Sequence, residues 1–171
     1  MTEEVPAGGP SASPKAAIMA VPAKPWFRVF HVNDSTDDQV LFQAACRRGR
    51  VPFEWHVTDS AEKGISYLKT LIEHSPRMPV CWPDLVLLDV VMPFTSGFEV
   101  LRYIRSTREL KHLPVVIFTG DMRPHTAEES RRLGATAFRL KPADFDATVR
   151  VAQDLHRLMC ELKAQGGFGA E

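Results

Sequence analysis

The sequence has few of the features that mark disulfide-bonded, nucleic-acid-binding or membrane-spanning proteins. Its three cysteines, Cys46, Cys81 and Cys160, are odd in number and far apart, which favours neither a disulfide framework nor a CxxC-type zinc site. Its 21 basic residues equal its 21 acidic residues, so no overall basic charge attracts nucleic acid or anionic lipid. No apolar run approaches the ~20 residues that span a bilayer. We therefore expect a cytoplasmic protein that binds neither nucleic acid nor membranes.

The 171 residues predict one domain with short extensions. Residues 1–25 contain five prolines with many Ala, Gly and Ser residues, which is typical of a flexible tail. Residues 164–171, AQGGFGAE, are expected to form a disordered C-terminus. The domain itself is therefore predicted to occupy residues 26–163.

Within the domain, segments with the pattern of a strand alternate with segments that have the apolar spacing of a helix. The continuous apolar run LVLL at 85–88 is typical of a strand that is covered on both faces. Five such strand–helix units predict an α/β fold, in which a parallel sheet is doubly wound with helices on both faces. The strands are predicted at 26–32, 53–58, 85–88, 114–118 and 136–140, and the helices at 39–48, 60–74, 97–108, 124–133 and 144–162.

Polar residues follow four of the predicted strands at the point where each strand ends. Asn33 and Asp34 follow the first strand, Asp89 the third, Thr119 the fourth and Lys141 the fifth. The carboxyl ends of parallel strands meet at one edge of the sheet, where α/β proteins bind their ligands. Burying a lone carboxylate at the end of an apolar strand costs free energy, which indicates that Asp89 has a functional role.

These groups together suit the chemistry of phosphoryl transfer. Two carboxylates offer the hard oxygen ligands that Mg²⁺ prefers. A lysine ammonium can hold a phosphate oxygen, and a threonine hydroxyl can donate a hydrogen bond to it. A carboxylate can itself accept a phosphoryl group, and this reaction depends mainly on positioning and charge neutralisation.

The sequence resembles the receiver domain of bacterial two-component response regulators, including the stand-alone, chemotaxis-regulator-like kind. The resemblance covers about residues 26–163 and is carried by the motifs VNDSTDD, VLLDVVMPFTSG, PVVIFTG and ATAFRLKP. It implies the flavodoxin-like (βα)5 sandwich. It also implies that Asp89 is the phospho-acceptor, that Lys141 contacts the phosphoryl group, that Thr119 is the switch hydroxyl and that Phe138 is the switch aromatic.

By the same resemblance, Mg²⁺ would be held by Asp34, Asp89 and the backbone carbonyl of Val91. The family usually has two adjacent acids after the first strand, whereas this chain has Asn33 in the first of these positions. An amide oxygen can bind the metal through a water but carries no charge, so weaker Mg²⁺ binding is expected. Val91 and Asp121 match the positions that flank the path of the hydrolysing water and tune dephosphorylation. Because Val91 has no polar group to orient that water, we expect a long-lived phosphoryl group.

The resemblance also implies the partners of the chain. A sensor histidine kinase would donate the phosphoryl group, and the runs WPDLVLLD and STRELKHLPVVIFT are similar to stand-alone regulators that partner bacterial phytochrome kinases. A homodimer is expected through the face formed by the fourth helix, fifth strand and fifth helix. Beyond its own phosphorylation and dephosphorylation on Asp89, the chain is not expected to be an enzyme.

Two other functions and several plainer interpretations of the residues remain open. A degenerate receiver would act as a phosphorylation-independent interaction module. A small-molecule enzyme of the same fold is disfavoured, because no glycine-rich phosphate loop follows the first strand. Taken singly, Asp89 could cap a helix, Lys141 could be a solvated lysine before a turn proline, Thr119 could bond nearby backbone, and Phe138 could simply pack in the core.

Overall fold

Five short apolar segments form one parallel sheet in the computed structural model, which describes residues 26–166. The strands are β1 (Phe27–Val32), β2 (Phe53–Thr58), β3 (Leu85–Leu88), β4 (Val115–Thr119) and β5 (Ala137–Leu140). Their order across the sheet is β2-β1-β3-β4-β5, and every neighbouring pair is parallel. This confirms the predicted flavodoxin-like (βα)5 sandwich. The predicted tail at 1–25 and the last five residues of the predicted disordered C-terminus lie outside the described residues.

The helices that alternate with the strands begin, with one exception, at side chains that cap them. They are α1 (Thr36–Arg48), α2 (Ala61–His74), α3 (Gly97–Ser106), α4 (Pro124–Arg132) and α5 (Phe145–Ala164). The cap side chains accept a hydrogen bond from the first turn of α1, α2, α3 and α5, and they belong to Ser35, Ser60, Ser96 and Asp144 respectively. At the start of α4, the side chain of Arg123 makes no such bond.

The sheet separates two apolar layers, and this explains the continuous run of β3. All four residues of β3 are buried. Val86 and Leu88 pack with side chains of α2 and α3, whereas Leu85 and Leu87 pack with side chains of α1 and α5. Successive residues of a strand point to opposite faces, so a strand that is covered on both faces has no position for a polar side chain until it ends.

Element bounds differ from the predicted ones by a few residues, for local reasons. Helix α1 begins at Thr36 instead of residue 39, because Ser35 caps it. Helix α5 continues to Ala164, which is the first residue of the segment predicted to be disordered. Gly134, which directly follows the predicted end of the fourth helix at residue 133, adopts φ +83, a left-handed conformation that glycine accepts without strain. None of the described helices is both long and apolar enough to cross a bilayer.

Candidate functional site

The strand order brings the predicted site residues together at one edge of the sheet. Strands β1, β3, β4 and β5 are consecutive neighbours, so their carboxyl ends are contiguous. An open cleft lies at this edge and contains all the polar side chains singled out at the strand ends, apart from Asn33. The cleft is lined by Asp34, Asp89, Thr119 and Lys141 together with Ser35, Asp38, Val91, Gly120, Asp121 and Arg123.

Asp89 is buried at the base of this cleft, and Lys141 compensates for the burial of its charge. Only 5% of Asp89 is exposed. The Lys141 ammonium donates a hydrogen bond to Asp89 Oδ2, and the Val91 N–H donates to Asp89 Oδ1 at 3.1 Å. A buried carboxylate is tolerated when it is paired and hydrogen-bonded. The contacts with Lys141 and the Val91 N–H therefore offset the free-energy cost of burying the Asp89 charge. Asp89 is therefore neither a helix cap nor a solvated acid.

Lys141 is also held by Asp38, which was not among the site residues predicted from the sequence. The ammonium donates to Asp38 Oδ2 at 2.6 Å. Burial lowers the pKa of Lys141, but the hydrogen bonds to Asp38 and Asp89 outweigh it and raise the pKa above its usual value. The ammonium is thus fixed between two carboxylates and stays charged. An acid in the first turn of α1 is also expected from the helix dipole alone, which is why its pairing with a distant lysine was not apparent.

Thr119 and Phe138 lie on the neighbouring strands β4 and β5. Thr119 is fully buried, and its Oγ1 accepts a hydrogen bond from the Asp121 N–H at 3.3 Å. Phe138 pairs with Ile117 across the two strands and is half-buried against the core cluster that contains Ile117. Core packing accounts for the position of Phe138 in this structure, and its role as a switch aromatic stays a prediction.

Asp34, Asp89 and Val91 line the same cleft, and their oxygen atoms are of the kind that a hard divalent cation prefers. Asp34 is exposed in the cleft that Asp89 and Val91 also line. Within residues 26–166, no group of three or more His, Cys, Asp or Glu side chains is arranged to hold a metal ion. The protein would therefore supply two carboxylates and a carbonyl, and water would complete the coordination, as is common for Mg²⁺.

Asn33 occupies the position where a third carboxylate would stand. It is fully buried, and its Oδ1 accepts a hydrogen bond from the Ser35 N–H at 3.0 Å. Its Nδ2 has no hydrogen-bond partner among the described residues. The amide oxygen is thus already engaged with backbone, and Asn33 does not line the cleft.

Asp121 lies at the mouth of the cleft with its carboxylate fully engaged. Arg123 donates to it from the backbone N–H at 3.0 Å, from Nε at 2.9 Å and from Nη2 at 2.7 Å. The Thr126 hydroxyl donates to Asp121 Oδ2 at 2.7 Å. The hydrogen bonds from Arg123, followed by that from Thr126, hold the pKa of Asp121 well below its usual range. The sequence placed Asp121 in the site but gave no sign of Arg123 or Thr126.

The cleft has a net negative charge. Four carboxylates and two cations line it, which leaves two negative charges in excess. The carboxylates belong to Asp34, Asp38, Asp89 and Asp121, and the cations belong to Arg123 and Lys141. Both cations are already paired with carboxylates of the same cleft. The excess negative charge favours a bound divalent cation.

Comparison with known proteins identifies the family of the chain. The family described as response regulator receiver domain matches residues 35–153. The polar-differentiation response regulator DivK of Brucella ovis is 37% identical over 114 residues, which are 67% of this chain and 83% of DivK. The two-component response regulator ORR1 of Oryza sativa subsp. japonica is 31% identical over 117 residues, which are 67% of this chain and 49% of ORR1. The chain spans 16% of the length of a probable cyclic di-GMP phosphodiesterase of Vibrio cholerae.

Solved structures show the same fold. The phosphorylated cyanobacterial phytochrome response regulator RcpA has a TM-score of 0.68 and 26% identity, and the match covers 80% of this chain and 95% of RcpA. The bacteriophytochrome response regulator AtBRR has a TM-score of 0.61 and 28% identity, and the match covers 86% of this chain and 97% of AtBRR. By its sequence, its sheet order and its strand-end cleft, the chain belongs to the response regulator receiver domain family of two-component signalling.

Proposed function

We propose that the chain is a phosphorylation switch in which Asp89 accepts a phosphoryl group from a sensor histidine kinase. The observation that carries this proposal is the buried Asp89 carboxylate, which faces an open cleft and is fixed by Lys141. A structural ion pair alone does not require a cleft lined by further carboxylates. A nucleophile for phosphoryl transfer does require access, a fixed position and neighbouring positive charge.

In the transfer step, an oxygen of Asp89 attacks the phosphorus of a phosphohistidine on the kinase. The phosphorus–nitrogen bond breaks, the imidazole nitrogen keeps the electron pair and takes a proton from solvent, and an acyl phosphate forms on Asp89. Lys141 then pairs with an oxygen of the phosphoryl group, while Asp38 holds the other side of its ammonium. The Thr119 hydroxyl donates a hydrogen bond to a second phosphoryl oxygen.

Mg²⁺ is the cofactor that this cleft fits, with Asp34, Asp89 and the Val91 carbonyl as its protein ligands. When bound, a divalent cation neutralises charge on a transferring phosphoryl group. The other groups that would hold the phosphoryl oxygens, Lys141 and Thr119, belong to the chain itself and already lie at the cleft.

The response to phosphorylation would be a change of the surface formed by α4, β5 and α5. Movement of Thr119 toward the phosphoryl group opens space that Phe138 can enter from β5. Strand β5 is an edge strand, and three apolar side chains at or beside this surface are exposed, namely Met122, Leu140 and Phe145. We propose that this surface binds a second copy of the chain. Sedimentation with and without beryllium trifluoride tests this, and a monomer in both conditions at tens of micromolar contradicts it.

A kinase of the phytochrome class is the phosphoryl donor that the comparisons favour. RcpA and AtBRR, which are described as phytochrome and bacteriophytochrome response regulators, align with 80% and 86% of this chain. Phosphotransfer from a purified phytochrome-type kinase, compared with a kinase of another sensor class, tests the preference. Equal transfer rates from the two kinases would contradict a preference for the phytochrome class.

Labelling with a small phosphodonor tests the assignment of Asp89 directly. The protein is incubated with acetyl phosphate and Mg²⁺, and intact-protein mass is expected to show one added phosphoryl group. Asp89→Asn should abolish the addition, and the matched control Asp154→Asn, which changes a half-exposed acid on α5, should leave it unchanged. Labelling of Asp89→Asn equal to the unmodified protein would refute the assignment. A folded, unlabelled protein would support the phosphorylation-independent module instead.

A further inference from the structure

A cluster of three side chains at the mouth of the cleft has no part in the transfer described above. We call it the Asp121 clasp, and it consists of Asp121, Arg123 and Thr126. Both oxygens of the Asp121 carboxylate are occupied, since Arg123 Nε contacts Oδ1 at 2.9 Å and Arg123 Nη2 contacts Oδ2 at 2.7 Å. The Thr126 hydroxyl adds a further bond to Oδ2 at 2.7 Å.

Capping of α4 explains only part of the clasp. The Arg123 N–H and the Thr126 hydroxyl, which bind Asp121, belong to the start of the helix and stabilise it. The Arg123 guanidinium does not contribute to this capping, and 77% of its side chain is exposed, whereas only 7% of the Asp121 side chain is. An exposed guanidinium gains little stability from one ion pair. Its main effect is therefore on the carboxylate that it covers.

The clasp adjoins the reacting groups. Asp121 and Arg123 line the same cleft as Asp89. The Asp121 N–H donates to the Thr119 hydroxyl oxygen at 3.3 Å, so the clasp is joined to the residue proposed to hold a phosphoryl oxygen. Because Asp121 lines the same cleft as Asp89, a free oxygen on the Asp121 carboxylate could orient a water molecule near a phosphoryl group on Asp89.

We propose that Arg123 is a positioning residue that prolongs the life of the phosphorylated state by holding Asp121 away from the hydrolysing water. This proposal rests on the proposed function, because it concerns the acyl phosphate on Asp89. In hydrolysis, a water oxygen attacks phosphorus, the bond from phosphorus to the Asp89 oxygen breaks, and inorganic phosphate leaves. The water proton passes to a base or to solvent, and the Asp89 carboxylate is restored.

Two physical effects of the clasp oppose this hydrolysis. A carboxylate that already accepts bonds from Arg123 and Thr126 has little capacity left to orient a water. The same bonds hold the pKa of Asp121 low, so it is a weaker proton acceptor than a free aspartate. Removing the guanidinium weakens both effects, while the bonds from the Thr126 hydroxyl and the backbone N–H at position 123 keep Asp121 in place.

The test is the rate at which label is lost from phosphorylated protein after the donor is removed. Arg123→Ala is expected to speed the loss about tenfold, which is less than the ~100-fold that a well-placed acid–base group supplies. In the Asp121→Ala background, Arg123→Ala should not speed the loss at all. Arg123→Lys, which keeps the charge but cannot make the two-pronged contact, should give an intermediate rate. Arg131→Ala, which removes an exposed guanidinium at the opposite end of α4, is the matched control and should match the unmodified protein.

Three outcomes separate the possible explanations. An unchanged rate in Arg123→Ala overturns the clasp proposal while leaving phosphorylation of Asp89 intact. An equal acceleration by Arg123→Ala with and without Asp121 also overturns it, because Arg123 then acts on the phosphoryl group directly. Absence of any label on the unmodified protein refutes the proposed function itself. Thermal unfolding of each variant ensures that a changed rate reflects the clasp, and if Arg123→Ala does not fold, Arg123→Gln replaces it.

Discussion

Lys141 is the residue whose removal should most clearly reveal the electrostatics of the site. Its ammonium bridges Asp89 and Asp38, and the exposed fractions of the Lys141 and Asp89 side chains are 17% and 7%. Lys141→Met keeps much of the apolar stem but removes the charge. Asp89 is then left as a buried carboxylate without its cation, whereas Asp38, whose side chain is 39% exposed, can be solvated.

The expected cost follows from these exposures. Breaking a buried ion pair by removing one partner costs ~3–5 kcal/mol when the remaining charge is fully buried. Because water reaches part of Lys141 and Asp38, we expect a cost at or below the bottom of this range, about 2–3 kcal/mol in the free energy of unfolding. In a domain of this size, each kcal/mol lowers Tm by roughly 3 °C, so Tm should fall by about 6–9 °C.

Urea unfolding followed by circular dichroism measures this effect, and a second substitution isolates its cause. In Lys141→Met/Asp89→Asn no buried charge remains, so the double variant should be more stable than Lys141→Met alone by about 2 kcal/mol. Lys63→Met is the matched control, because Lys63 pairs with Asp59 at 2.7 Å while both side chains are more than half exposed. It should change stability by less than ~0.5 kcal/mol. Equal stabilities of the single Lys141 variant and the double variant would refute the reasoning.

Two further substitutions test the backbone and the metal ligands of the site. A Cβ at Gly97 would lie 1.9 Å from the Asp89 carbonyl oxygen, so Gly97→Ala should cost about 3 kcal/mol in urea unfolding. Gly120→Ala, whose Cβ would meet no heavy atom within 4 Å, should cost little, and similar losses in both variants would contradict this. Asn33→Asp should tighten Mg²⁺ about tenfold in calorimetric titration, because it adds a negatively charged ligand. An unchanged affinity would show that position 33 does not face the metal.

The fold and the strand-end residues could be predicted because their signals are local. The run LVLL required a strand covered on both faces, and the structure buries all four of its residues. Once the strands were identified as parallel, the rule that their carboxyl ends share an edge brought Asp34, Asp89, Thr119 and Lys141 together without knowledge of the strand order. The roles proposed for these residues came from resemblance, and the structure adds their contacts.

The contacts between distant segments could not be predicted. Asp38 and Lys141 are 103 residues apart, and each is ordinary where it stands, one in the first turn of a helix and the other before a proline. Arg123 also has no sequence pattern that assigns its guanidinium to Asp121. Phe94 adopts φ 65 and is fully exposed, although nothing in the run MPFTSG favours a left-handed residue at a bulky side chain. Such features depend on how the loops meet after the sheet has formed.

The charge of the cleft predicts that an acid at position 33 would affect Mg²⁺ binding and phosphorylation in opposite directions. The proposed phosphorylation would replace the single charge of Asp89 with one of about −1.5 to −2, in a cleft that already has two negative charges in excess. An amide at position 33 has one negative charge fewer than an acid there, which is expected to weaken the binding of a cation but also to lessen the repulsion that an incoming phosphoryl group would meet. Asn33→Asp should therefore raise the Mg²⁺ affinity but lower the extent of phosphorylation at saturating Mg²⁺. The labelled fraction at saturation, and not the Mg²⁺ affinity alone, therefore measures what Asn33 contributes to the switch.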